Sequence, residues 1–120
     1  MSVHVAVDIG ASSGRVIVAE YEDNHFEVSE VHRFKNGFGH VDGHDRWNID
    51  DLFDNILKGL AKVKERGVEE CTLGIDTWAV DYVLVKEGEK LGHPIAYRDS
   101  RTQKGVENVF AKISKEDIFH

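Results

Sequence analysis

Hydrophobic positions along the chain fall into two rhythms. Val3, Val5 and Val7 alternate with polar neighbours into Ile9, the period-two signature of a strand, and Val16 to Ala19 form a second short apolar run. A polar turn over Tyr21 to His25 separates this run from a third strand, Phe26 to Phe34. Phe26 and Val28 share one parity and Val31 breaks it, which predicts a bulge near Ser29 or Glu30. Three strands joined by tight turns make an antiparallel meander. The rhythm then changes. Leu52, Phe53, Ile56, Leu57, Leu60 and Val63 recur at helical spacing and predict a helix over Asp50 to Arg66. Asn48 or Asp50 caps its start, Lys62, Lys64 and Arg66 lie near its end, and Gly67 supplies the residue after the cap.

Beyond the helix, Cys71 to Asp76 reads as a short buried strand. It follows a crossover helix, so it is expected to run parallel to the first strand. Val80 to Val85 reads as a further strand, Lys86 to Glu89 as a turn, and His93 to Tyr97 as an extended return, with Pro94 disfavouring helix. Arg98 to Thr102 is a dense polar knot. Val106, Val109, Phe110 and Ile113 mark a second helix, and Ser114 with Asp117 a helix start three residues before His120. A chain that stops as an element begins is expected to be a fragment. Asn36 to Asp45, with three glycines, reads as a solvated loop. His40 and His44 are four apart there, a metal-chelating spacing only if the segment were helical.

Meander, helix, then a parallel strand is the order of a ribonuclease-H-like or actin-like ATPase half-domain: α/β, with a mixed sheet. In such a sheet the first and fourth strands are neighbours, so Asp8 and Asp76 end close together. A pair of strand-end carboxylates suits one or two metal ions. Between the first two strands lies Asp8-Ile9-Gly10-Ala11-Ser12-Ser13-Gly14-Arg15. Two readings fit this octapeptide. One is a polar hairpin turn closed by glycine. The other is a cradle of hydroxyls and exposed N–H groups for a polyphosphate, with Asp8 reaching its magnesium through water. It is not a Walker A loop, since its glycines are four apart, no Lys follows, and the next segment is a strand.

Composition narrows the field. At 120 residues, 41% hydrophobic and 31% charged, the chain is one soluble domain or part of one. A net charge of −7 argues against a nucleic-acid surface and against a two-metal nuclease, which needs a basic path for its strand. Cys71 is the only cysteine, so no disulfide framework forms within the chain, and a cytoplasmic setting fits. No apolar run reaches the roughly 18 residues of a membrane span. The first residues lack a basic n-region, so no signal peptide is expected.

Three stretches carry a family resemblance: Asp8 to Arg15, then Gly74-Ile75-Asp76-Thr77-Trp78-Ala79-Val80-Asp81, then Ala96-Tyr97-Arg98-Asp99-Ser100-Arg101-Thr102. With His32 to Gly37 and Trp47 between them, they resemble the first lobe of the rhamnulokinases, within the FGGY family of carbohydrate kinases. The resemblance covers nearly the whole chain, in order. It implies transfer of phosphate from ATP to L-rhamnulose, with magnesium, in bacterial rhamnose catabolism. It implies an ATP phosphate loop at Ala11, Ser12, Ser13, Gly14 and Arg15, with Asp8 reaching the magnesium. It implies sugar contacts around Trp78 and Ala79 and at Tyr97. The family often has Gly where Ala79 stands, so the added methyl group bears on which ketose fits. The family's catalytic base lies beyond residue 120 and its adenosine pocket in a second lobe. The 120-residue chain is therefore expected to be inactive alone, and to self-associate through surface that the rest of its domain covers.

Read from the residues alone, two arrangements fit: Trp78 and Tyr97 stack on a sugar face while Asp81, Asp99 and Arg101 hydrogen-bond its hydroxyls, or Trp78 and Tyr97 are core aromatics and Asp99 pins the loop by pairing with Arg98 or Arg101. A non-catalytic actin-like module that binds nucleotide or a protein partner is the other reading for the parent.

Overall fold

The computed structural model describes residues 1–119. They form two compact units: residues 1–37 with 48–79, and residues 38–47 with those from Val80 onward.

The first unit is a four-stranded mixed sheet with one helix on it. β1 (Ser2–Ile9), β2 (Ser13–Glu22) and β3 (His25–Lys35) make the expected meander, and β6 (Thr72–Thr77) joins the far side of β1, giving the order β3-β2-β1-β6. β6 is parallel to β1, with Asp8 opposite Asp76. The bulge is real and sits at Val31: Val16 pairs His32 while Ile17 pairs Glu30. The alternation explains the packing. Val5, Val7 and Ile9 of β1 and Val16 and Val18 of β2 share one face and bury there against Ile56 and Val63.

Those two residues belong to α1 (Ile49–Glu65). Its N-cap is Asn48, whose side chain accepts from the Asp51 N–H, and Asp50 and Asp51 follow in the first turn. Gly59 faces the sheet so closely that a Cβ there would overlap the Val16 side chain. The helix packs on β2 and β3. That position corrects one expectation. β6 was expected to be buried, yet all six of its residues are exposed, Ile75 to 60%. Leu73 and Ile75 stand opposite Val5 and Val7 and share their face, but α1 lies over β2 and β3 and does not extend to β6, which forms the sheet edge.

In the second unit β4 (Phe38–Val41) and β5 (His44–Trp47) pair as a hairpin, so the expected solvated loop is ordered structure. Asp42 and Gly43 both take positive φ, +52° and +79°, the backbone of a type I′ turn. Asp23–Asn24 and Glu87–Gly88 turn their hairpins the same way. The second of these joins β7 (Val85–Lys86) to β8 (Glu89–Lys90) where a turn was expected. Of the strand expected over Val80 to Val85 only Val85 lies in a strand, β7, and Val80 sits at φ +72°, outside any strand geometry. Ile95 bridges Arg46, so the return segment runs alongside β5. α2 (Arg101–Phe110) and α3 (Lys115–Ile118) complete the unit, and Ser114 caps α3 by accepting from the Asp117 N–H.

Candidate active-site residues

The candidate phosphate loop is the β1–β2 turn, and its shape is fixed by its own carbonyls. The Gly10 N–H donates to Ser13 O at 2.9 Å, the Asn36 N–H to Ser12 O at 2.9 Å, and Asn36 Nδ2 to Gly10 O at 2.8 Å. With these acceptors taken, the turn has N–H groups and two hydroxyls to offer. Gly14 is buried, and its lack of a side chain has a packing cause: a Cβ there would enter the ring of Phe34.

Arg15 reaches back along β2. Its Nη1 donates to Asp8 Oδ2 at 2.8 Å and its Nη2 to Ser13 Oγ at 3.1 Å, while its Nε is buried with no hydrogen-bond partner. Asp8, Ser13 and Arg15 thus form one ion-paired cluster, with Asp76 beside it on the adjacent strand. Two carboxylates and no third ligand stand there. Among the described residues no group of three or more His, Cys, Asp or Glu could hold a metal ion. His40 and His44 are part of no such group: His40 Nδ1 meets Asp45 at 3.1 Å and His44 Nδ1 meets Asp99 at 3.0 Å.

The sugar candidates divide between the two units. In the first, Trp78 is half-buried against the sheet core, in keeping with a core aromatic, and Ala79 follows it, exposed. In the second, the indole N–H of Trp47 donates to Asp81 Oδ2 at 2.6 Å. Trp47 is itself almost fully buried, edge-on to the Phe38 ring at 5.3 Å. Tyr97 carries Arg98 on it, the guanidinium 5.4 Å from the ring centre and Nε donating to the phenol oxygen at 3.1 Å.

Asp99, which the sequence left open, is a loop pin. It is 4% exposed. Its Oδ1 accepts from the Asp45 N–H at 2.7 Å; its Oδ2 accepts from the Arg101 N–H at 3.1 Å and meets His44 Nδ1. The Asp45 N–H first, then His44, hold its carboxyl down from the usual 3.8 to about 2. The pairing is with Asp45 and His44 rather than with the Arg98 or Arg101 side chains. Around this pin β5 is stitched to the return segment: Trp47 N–H to Pro94 O, Ala96 N–H to Asp45 O, and Arg46 Nη1 to His93 O at 2.7 Å.

Over 120 residues the chain is 57% identical to the rhamnulokinase of Ligilactobacillus salivarius, an alignment covering 99% of the chain and 25% of the relative. The chain is rhamnulokinase-like along its whole length. Rhamnulokinase of Bacillus subtilis is 49% identical over 118 residues, covering 98% of the chain and 24% of the relative. The chain thus spans about a quarter of the length of the curated rhamnulokinases it matches. No protein-family model matches it. Among solved structures, a xylulose kinase from Rhodospirillum rubrum superposes with a TM-score of 0.71 at 21% identity, over 95% of this chain and 24% of that one. A gluconate kinase from Lactobacillus acidophilus reaches 0.66 at 13% identity, over 92% and 23%. These likenesses bear out the actin-like α/β half-domain expected from the order of elements.

Proposed function

We propose that the chain is the N-terminal portion of the first, actin-like lobe of an FGGY carbohydrate kinase, with the second lobe contributed by later polypeptide. The activity is transfer of the terminal phosphoryl group of ATP to L-rhamnulose, giving L-rhamnulose 1-phosphate and ADP, in the cytoplasm. One observation carries this reading: rhamnulokinase identity of 57% extends over the whole chain. No helix among the described residues is long and apolar enough to cross a membrane.

The β1–β2 turn fits an anion. Its carbonyls are used, and Arg15 keeps one orphan donor, Nε. In this reading Ala11, Ser12, Ser13, Gly14 and Arg15 hold the ATP phosphates. The guanidinium swings from Asp8 onto phosphate, which satisfies the orphan donor and frees Asp8. Asp8, with Asp76 beside it, would hold the hydrated Mg²⁺ that accompanies ATP, and that ion would screen the charge of the phosphates. Trp78 and Ala79 in the first unit, and Asp81 and Tyr97 in the second, are the candidates for sugar contact; the catalytic base comes from beyond residue 120, so the isolated chain does not turn over. Alone, it self-associates through the outer edge of β6, where Leu73 and Ile75 are exposed and the backbone has no strand beside it among the described residues. A clean monomer in sedimentation across a wide concentration range overturns that part.

The test of the function is ADP release by the full-length polypeptide carrying this chain, with Mg²⁺ and ATP. The panel is L-rhamnulose, L-fuculose, L-ribulose, D-xylulose, glycerol and no sugar. Release with rhamnulose well above the rest is expected. Preference for another ketose keeps the kinase and reassigns the pocket around Ala79. No release with any sugar overturns the kinase reading in favour of a non-catalytic nucleotide-binding module.

A further inference from the structure

The second unit contains a cavity lined by no residue of the phosphate loop and by none of Trp78, Ala79, Asp81 and Tyr97. It measures about 230 Å³ and its lining includes Arg46, Arg101, Tyr82 and His93 over an apolar floor that includes Leu84 and Leu91. No carboxylate lines it, in a chain whose net charge is −7. Cations gathered in one cavity of an acidic protein set a local potential opposite to that of the whole molecule.

The two arginines are held differently. Arg46 is built in: its Nη1 donates to His93 O at 2.7 Å and its Nε to Val41 O at 3.3 Å, so two backbone carbonyls fix the plane of its guanidinium. Gly92 lies against it, a Cβ there standing 3.6 Å from Arg46 Nη1. A guanidinium fixed by neutral carbonyls keeps its full charge and has donors to spare. Arg101 is the first residue of α2. Its backbone N–H is spent on Asp99, while its side chain makes no hydrogen bond or ion pair among the described residues. The helix N-terminus adds partial positive charge on the same side.

We infer that this cavity is a binding site for a phosphate monoester of a small polyol. A dianion matches two guanidinium groups, of which one is preset and one is free to close on it. The Tyr82 hydroxyl is a further donor, and Leu84 and Leu91 take the carbon skeleton. The volume is below the ~300–1,000 Å³ of sites for drug-sized ligands, which suits a phosphate with a few carbons attached. The inference does not rest on the proposed kinase activity.

The test uses the full-length polypeptide that carries this chain, with glycerol 3-phosphate and inorganic phosphate as probes and glycerate as the carboxylate control. Calorimetry is expected to show saturable binding of glycerol 3-phosphate that weakens as salt rises. Arg101→Gln weakens it at least tenfold, Arg101→Lys less, and Arg15→Gln not at all; saturating L-rhamnulose does not compete. In nitrogen-detected spectra of arginine side chains, the Arg46 and Arg101 signals shift on addition of the probe. Tyr82→Phe weakens binding by a few fold and keeps the question open to test should Arg101→Gln misfold. Several results overturn the inference: no saturable binding, loss in Arg15→Gln instead of Arg101→Gln, competition by the sugar, or glycerate binding as tightly as the phosphate ester. Each of these is read independently of ADP release.

Discussion

Trp47 donates its indole N–H to Asp81 over 2.6 Å, from a ring almost fully buried in the β4–β5 hairpin. The hairpin therefore fixes a sugar candidate from beneath. Trp47→Phe removes the donor and leaves a gap beside Phe38. A stability loss of about 1–3 kcal/mol is expected by denaturant titration. If the full-length polypeptide phosphorylates a sugar as proposed, its sugar KM should rise roughly three- to tenfold with a smaller change in kcat, since what is lost is the aim of Asp81. An unchanged KM would detach Asp81 from the sugar.

Asp99 sets an acid limit. Its carboxyl titrates at about 2 in the fold against an ordinary 3.8. The unfolded chain thus binds the proton first as pH falls. The contribution of Asp99 is complete above about pH 4 and is lost as pH drops from there to about 2. Acid titration followed by near-ultraviolet dichroism should show a transition in that window that Asp99→Asn lacks, with the variant less stable at pH 7.

Gly59 and Gly105 should respond oppositely to alanine. Both lie inside helices, where alanine is favoured by about 1 kcal/mol. Nothing stands within 4 Å of a Cβ on Gly105, so Gly105→Ala should stabilise by about 0.5–1 kcal/mol. At Gly59 the new methyl group meets Val16 and lies 3.3 Å from His32 Cβ. Overpacking of about 1–3 kcal/mol outweighs the helical gain, and Gly59→Ala should lower the melting temperature.

Val80 holds a β-branched side chain at φ +72°. Such strain costs about 1–3 kcal/mol. Val80→Gly should relieve it at a smaller entropic cost, for a net gain of about 0.5–1 kcal/mol by thermal melting. If Val80 sets the placement of Ala79 and Asp81, the more stable variant is also the poorer enzyme, visible as a higher sugar KM.

Much of the fold was legible because its signals are local. α1 announced itself through apolar spacing, Asn48 and Gly67; β1 through strict alternation; the Asp8–Asp76 juxtaposition through the order of elements. The β4–β5 hairpin was missed because Gly37, Gly39 and Gly43 within ten residues read as a solvated loop. Its signal was present all the same: Asp42-Gly43 between Phe38 and Trp47 is a type I′ turn pair. β6 looked buried because Leu73 and Ile75 are apolar, but burial depends on what lies over a strand, which its own residues do not encode. The Val80–Val85 stretch has the composition of a strand, yet only Val85 lies in one. At the candidate site, Asp8 with Arg15 could be paired on paper, whereas the Trp47–Asp81 bond and the Asp99 pin join residues 34 and 54 or more apart in sequence.

The parallel seam between β1 and β6 sets the order in which this architecture comes together. The hairpins turned by Asp23–Asn24, Asp42–Gly43 and Glu87–Gly88 close over two residues each and the β1–β2 hairpin over Gly10 to Ser12, all on the microsecond scale. The seam joins residues as far apart as His4 and Thr72, 68 positions along the chain, and has to wait for α1. Asp76 therefore arrives beside Asp8 last. An edge strand exposed along its whole length is also the first part of the sheet to loosen, so amide protons of residues 72–77 should exchange ahead of those of β1 and β2. The paired carboxylates of Asp8 and Asp76 thus span the part of the sheet that assembles late and comes apart early.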